Sequence, residues 1–400
     1  MLHTPSDINS DKAPRDRVEP ILALYQKGNL HDTLSQAQQL IQEYPNTPVI
    51  HNLLGACFSA TGQTKPSLYH FKEALKLEPS NPTTYNNIGA ILLDLHQYEE
   101  AQKILEHALQ IKPDFAEAYN NLGNLMKEQE EYEKAIHAYE KAINIHPSYY
   151  EAYNNLGVVQ NELKKYKAAE ENFTKAIDIH PKFTEAYNNL GTALSNQKKY
   201  TKAIQCFEKA LKINPNSNSY FDLGNIYKDK GELEKALKFY SQAIEIKPDC
   251  ADSYYNKAIT LKIKGDLNNA IENFKQASSI NPGFIESYYN MGNALKDKGQ
   301  LEAAIESYKE VIKIDPEHAG AYDNMGMVLK ELGEIEDAID NYNQVIKHDP
   351  KYAGVYNNLG IALNDKQDQE AAIKNFKQAI NIKPDYSEAY SNMGNIFAEK

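Results

Sequence analysis

Apolar and polar residues in the stretch 116–149 (AEAYNNLGNLMKEQEEYEKAIHAYEKAINIHPSY) follow the period of helices, not of strands. Tyr119, Leu122, Gly123 and Met126 fall at i, i+3, i+4 and i+7, one stripe along a helix. Ala135, Tyr139 and Ala142 mark a second stripe. The polar run 127–131 between them is predicted to turn. His146 and Pro147 stop the second helix, because proline has no N–H to donate and disfavours helical backbone at the residue before it. The pattern predicts a hairpin of two helices, A and B.

The hairpin recurs. Pro45, Pro79, Pro113, Pro147, Pro181 and Pro215 are 34 residues apart, one step of 33 leads to Pro248, and Pro282, Pro316, Pro350 and Pro384 resume at 34. Gly55, Gly89, Gly123, Gly157, Gly191, Gly224, Gly292, Gly326, Gly360 and Gly394 keep the same beat. Such a period marks a repeat array and replaces the two or three globular domains that 400 residues would otherwise suggest. Each repeat is numbered here with this glycine at position 8 and the proline at position 32. Glycine inside a helix costs about 1 kcal/mol against alanine, so its recurrence predicts close approach of A and B, with alanine at position 20 facing it (Ala101 to Ala372). Tyrosine holds position 4 from Tyr85 to Tyr390.

A large residue at 4, Leu at 7, Gly at 8, Ala at 20, an aromatic at 24, Ala at 27 and Pro at 32 resembles the tetratricopeptide repeat, with Tyr where Trp is commonest. The resemblance covers about 48–400. It implies an all-α, right-handed superhelical solenoid of tandem helix-turn-helix repeats, with A helices lining a concave groove that binds segments of other proteins. The expected organisation is a disordered segment 1–13, a degenerate first repeat 14–47 (Thr33 where Ala is usual), ten repeats over 48–386, and a half repeat with helix A alone at 387–400. A seam is expected near 216–262, where one repeat is a residue short and Lys257 and Ala258 replace Leu and Gly.

At 100° per residue, positions 4, 7, 8 and 11 of helix A centre on the core, and positions 2, 6, 9 and 13 point away from it. Position 6 is Asn87, Asn121, Asn155, Asn189, Asn256, Asn290, Asn324, Asn358 and Asn392, with only Leu53 and Asp222 departing. Positions 5 and 9 drift by comparison. Asparagine is a poor helix former, and its carboxamide both donates and accepts, so it can pair with a peptide unit whatever the side chain. These nine asparagines are the expected peptide-binding residues. A ladder of this kind is similar to the repeat arm of the O-GlcNAc transferases, with AYSNMGN at 389–395 the best local match. The second reading is therefore the substrate-recognition arm of a larger enzyme (a glycosyltransferase, sulfotransferase or oxygenase) whose catalytic domain this chain lacks.

Charge narrows the ligand. The formal net charge is −12, which argues against nucleic acid or an anionic membrane as the main partner. Position 2 carries Glu117, Glu151, Glu185, Asp252, Glu286 and Glu388; position 13 carries Asp94, Glu128, Glu162, Asp229, Asp297, Glu331, Asp365 and Glu399. The expected partners are extended polar or basic protein segments, with end-to-end self-association through the C-terminal half repeat a further expectation. Lysines at position 12 read as part of a solvated charge pattern. Cys57, Cys206 and Cys250 lie far apart without a CxxC and read as apolar fillers in a reducing compartment. The chain shows neither a signal-peptide core nor an apolar run of about 20 residues, and a cytoplasmic location is expected. No nucleophile motif, phosphate-binding loop or metal-ligand spacing occurs; no catalysis, cofactor or metal is expected.

Overall fold

The computed structural model describes residues 12–398. The expected disordered segment 1–13 falls outside them, apart from Lys12 and Ala13, and so does Glu399. Among the described residues the regular structure is helical throughout, from Arg15–Gln26 to Ser387–Ala398. In the third repeat helix A is Ala116–Glu128 and helix B is Tyr132–Ile145. The fold is an all-α array of paired helices, as the hairpin period predicts. It divides into two compact units, Met1–Ile213 and Asn214–Lys400, and the division falls beside the one 33-residue step.

Each turn from A to B passes through a left-handed residue at position 15. In the first unit this is Gly28, Gly62, His96, Glu130, Lys164 and Lys198, with φ between 57° and 75°; in the second it is Gly231, Gly265, Gly299, Gly333 and Gln367. Glycine adopts this region freely, whereas a Cβ is crowded there.

Position 8 is tighter than the pairing with alanine alone suggests. A Cβ on Gly123 would lie 2.6 Å from the Tyr139 ring, and one on Gly360 2.5 Å from the Phe376 ring, so the position-24 side chain lies flat on the glycine. Position 20 covers the backbone of the same residue. In the first full repeat it is serine, and Ser67 Oγ donates to the Gly55 carbonyl at 2.7 Å. In the seventh repeat Ala258 occupies position 8 and is fully buried with Phe274. Lys257 beside it is half-buried, and burial holds its ammonium below the ordinary lysine range.

The core is broader than a stripe through positions 4, 7, 8 and 11. Position 3 (Ala118, Ala152, Ala186) and position 10 (Leu125, Val159, Ala193) are fully buried, because helix A is covered both by its own B and by the preceding hairpin. Ala108 of one helix B packs on Ala118 of the next helix A. Within each unit successive A helices touch each other while successive B helices make no comparable contact. The A side is therefore the inner side of the local bend.

Candidate functional site

The inner face is built from the A helices. Their position-6 asparagines are all half-buried, while Asn86, Asn120, Asn154 and Asn357 at position 5 are buried. A lateral hydrogen bond joins the two positions from one repeat to the next. In the first unit Asn121 Nδ2 donates to Asn86 Oδ1 at 2.9 Å, Asn155 to Asn120 at 3.0 Å, and Asn189 to Asn154 at 2.9 Å. In the second unit Asn290 donates to Tyr255 Oη at 3.1 Å, Asn324 to Tyr289 Oη at 2.9 Å, Asn358 to Asp323 Oδ1 at 3.0 Å, and Asn392 to Asn357 Oδ1 at 3.0 Å.

Position 5 therefore drifts less than its residue types suggest, with Phe221, which offers no oxygen to Asn256, the departure. Asparagine, tyrosine and aspartate all present an oxygen where the next asparagine needs an acceptor, and comparing residue types alone hides this. The Nδ2 groups are occupied, but no protein donor reaches Oδ1 of Asn121, Asn155, Asn189, Asn290, Asn358 or Asn392 among the described residues. None of these oxygens is a buried orphan. The lateral bond fixes each carboxamide plane and leaves a row of oriented acceptors. Asn256 differs: its Oδ1 accepts from Lys228 Nζ at 2.8 Å. No such lateral bond is found for Asn87.

Position 9 follows its own rule. Where position 24 is tyrosine, Asn124, Asn225 and Asn293 accept its hydroxyl: Tyr139 at 2.8 Å, Tyr240 at 2.7 Å, Tyr308 at 2.8 Å. Where position 24 is phenylalanine or leucine, position 9 is Ala56, Ala90, Val158, Thr192, Ile259 or Ile361. Tyr342 is the exception. It faces a repeat with Met327 at position 9, and its hydroxyl is buried without a partner.

The position-12 lysines are not merely a solvated pattern. Lys262 Nζ lies 3.8 Å from Asp297 and Lys330 Nζ 3.7 Å from Asp365, each reaching the following A helix at position 13. Lys296 reaches Asn324 Oδ1 at 3.4 Å. Lys228 is half-buried, and that burial lowers its pKa. In the first unit the acids at positions 2 and 13 face fewer cations: only Lys127 Nζ, 3.1 Å from Glu128, lies at position 12 there. Near the N-terminus His51 stands at position 4 in place of tyrosine. Its Nδ1 lies 3.0 Å from His70 Nδ1 and its Nε2 2.9 Å from the Pro45 carbonyl oxygen. Burial pushes the His70 imidazole down to about 4, and the neighbouring His51 adds to the shift. No group of three or more His, Cys, Asp or Glu placed to hold a metal occurs among the described residues, and none of their helices is long and apolar enough to cross a membrane.

Sequence models of the tetratricopeptide repeat match residues 81–148, 114–182 and 184–217, and models of the TPR repeat match 224–262, 260–299, 292–333, 326–364 and 361–400. No curated protein sequence matches the chain. Among solved structures it is similar to MamA, with 27% sequence identity, 43% of this chain and 95% of that one covered, and a TM-score of 0.41. It is also similar to YrrB, described as a TPR protein with an unusual peptide-binding site, at 25% identity, 47% and 97% coverage and a TM-score of 0.43. Yeast Tom70 matches at 16% identity, 96% and 94% coverage and a TM-score of 0.43.

Proposed function

Because the chain belongs to the tetratricopeptide-repeat family, we propose that it is a non-enzymatic scaffold that holds extended segments of partner proteins against the asparagine row of its A helices. The observation that carries this reading is the lateral bond that uses Nδ2 of Asn121, Asn155, Asn189, Asn290, Asn358 and Asn392 and leaves their Oδ1 without a protein donor among the described residues, in a fixed orientation. Successive A helices sit roughly 10 Å apart and an extended peptide advances about 3.3 Å per residue. One oriented oxygen therefore meets a backbone N–H about every third residue. An acceptor row of this kind is indifferent to side chains. The acids at positions 2 and 13 add a preference for basic segments, stronger in the first unit, where position 12 supplies fewer lysines.

Two triple variants separate binding from support. Asn86→Ala, Asn120→Ala and Asn154→Ala together remove the same lateral bonds as Asn121→Ala, Asn155→Ala and Asn189→Ala together, but only the second set removes the exposed oxygens. Extended peptides selected against the wild-type chain, measured by fluorescence anisotropy, are expected to bind the first set only slightly more weakly than wild type, because it frees the carboxamides from their fixed orientation but keeps their oxygens. The second set is expected to bind them more weakly, by about tenfold or more for the loss of three hydrogen bonds of about 0.5–1.5 kcal/mol each. Equal weakening by both sets would make position 6 a structural residue and end the proposal.

A further inference from the structure

In the ninth and tenth repeats the A-helix pattern changes at several places at once. Position 2, acidic in most repeats, becomes Gly320 and Gly354; position 5 becomes Asp323 in the ninth repeat; and position 34, tyrosine elsewhere only as Tyr149, is Tyr352 and Tyr386. A Cβ on Gly320 would lie 3.1 Å from Tyr289 Oη, and one on Gly354 2.9 Å from the Tyr352 ring. The absent side chains thus make the room that these rings fill.

Asp323 is 7% exposed. Two neutral groups hold its carboxylate: Tyr352 Oη donates to Oδ2 at 3.1 Å and Asn358 Nδ2 to Oδ1 at 3.0 Å. No ion pair reaches it among the described residues. A carboxylate taken out of water without a countercharge is costly. Asn86, Asn120, Asn154 and Asn357 hold the same position without that charge. Lateral pairing alone therefore does not account for an acid here. Above it the Tyr352 ring is 40% exposed. Burial, and after it the Asp323 charge, push the Tyr352 phenol up to about 12, with Tyr386 and Tyr289 close enough to add to the shift. Tyr386 already takes a cation on one face, with Lys383 Nζ 5.0 Å from its ring centroid.

We propose that Tyr352, Tyr386 and Tyr289 around the buried Asp323 form a receptor for an arginine side chain carried by the bound segment. A guanidinium is planar and weakly hydrated, so it stacks on the exposed phenol face while the carboxylate beneath supplies the countercharge. Only the identification of the carrier as an extended segment rests on the reading of the A-helix face given above.

The probe is acetyl-arginine-amide, with the isosteric, uncharged acetyl-citrulline-amide as control, titrated into the full chain while the tyrosine ring resonances are followed by NMR. The arginine compound is expected to shift the Tyr352 resonances saturably, and citrulline to bind about tenfold more weakly or worse. Asp323→Asn is expected to lower the arginine affinity by a similar factor. It keeps the fold, because asparagine stands at this position in six other repeats and can still pair with Tyr352 and Asn358. Equal binding of citrulline, or unchanged arginine binding by D323N, overturns the receptor. A single amino acid spans no ladder, so this result stands or falls separately from the asparagine triple variants.

Discussion

Tyr308 Oη donates to Asn293 Oδ1 at 2.8 Å, and the same oxygen accepts Asn324 Nδ2 from the next repeat at 2.9 Å. A buried hydroxyl inside one hairpin is thereby tied to the outward-facing ladder between hairpins. One repeat later the acceptor is missing, and Tyr342 Oη is left buried and unpaired. Met327→Asn is expected to raise stability by about 1 kcal/mol through the restored hydrogen bond, read as a higher urea midpoint at unchanged m. Asn293→Met should lower it by about 1–3 kcal/mol, because Tyr308 loses its partner. Combining Met327→Asn with Tyr342→Phe should remove the gain, and a gain that survives would disprove the pairing.

The left-handed turn residues offer a second measurement. Glu130, Lys164 and Lys198 have φ near 60°, where a Cβ costs roughly 1–2 kcal/mol; glycine gives back about 0.5–1 kcal/mol of that through its freer unfolded chain. Each change to glycine is expected to stabilise the first unit by about 0.5–1 kcal/mol. The triple variant should melt several degrees higher, and a lower melting temperature would contradict the turn assignment.

At position 8 the direction reverses. Gly123→Ala gains about 1 kcal/mol in helix propensity but drives a methyl into the Tyr139 ring, an overpacking that costs about 1–3 kcal/mol. A net loss of about 1 kcal/mol is expected. In the seventh repeat alanine already sits at this position, so Ala258→Gly should bring no gain there.

The backbone demands of this array are readable in its sequence because glycine at 8 and proline at 32 each answer a steric requirement that few residues meet, and the requirement recurs in nearly every repeat. The lateral bonding is not readable in the same way. Position 5 looks variable because Asn120, Tyr255 and Asp323 share an oxygen acceptor and little else. A pairwise comparison of positions 9 and 24 would have exposed the matching of Asn124, Asn225 and Asn293 with Tyr139, Tyr240 and Tyr308. The position-12 lysines gave no signal, since whether Lys262 dangles in water or meets Asp297 depends on the spacing of neighbouring A helices. Positions 3 and 10 are buried by the adjacent hairpin, which a single helical wheel does not contain.

Acid should loosen the N-terminal repeats first. His70 is held neutral down to about 4 in the folded chain, whereas an unfolded histidine protonates near 6.5. The unfolded chain therefore binds more protons in that window. This contribution is complete above pH 6.5 and is lost progressively as pH falls toward 4. Hydrogen exchange at pH 5 is expected to accelerate in Pro48–Ala60 and Thr64–Leu77 more than in later repeats, after correction for intrinsic rates. His70→Phe, which keeps a ring beside Phe58, should abolish the difference; if the difference persists, the imidazole is not its source.

The terminal A helix presents apolar surface. Tyr390 is 49% exposed and Phe397 55%, and nothing lies within 4 Å of a Cβ placed on Gly394, where other position-8 glycines meet the position-24 side chain. If this face mediates self-association, Met393→Glu with Phe397→Glu should lower the weight-average mass in sedimentation at high concentration while leaving the helical content intact. A wild-type chain that sediments as a monomer throughout would remove that expectation.

Contacts inside each unit reach no farther than the next hairpin, and this has a mechanical consequence. A pull on the two ends of such a unit loads its interfaces in series, each bearing the full tension, whereas a sheet shares a load among many parallel hydrogen bonds. Small openings at successive A-to-A contacts would add along the axis, so a unit lengthens under modest force before any helix is lost. A bound segment lying across several of those contacts would act as a tie and stiffen the array over the length it spans.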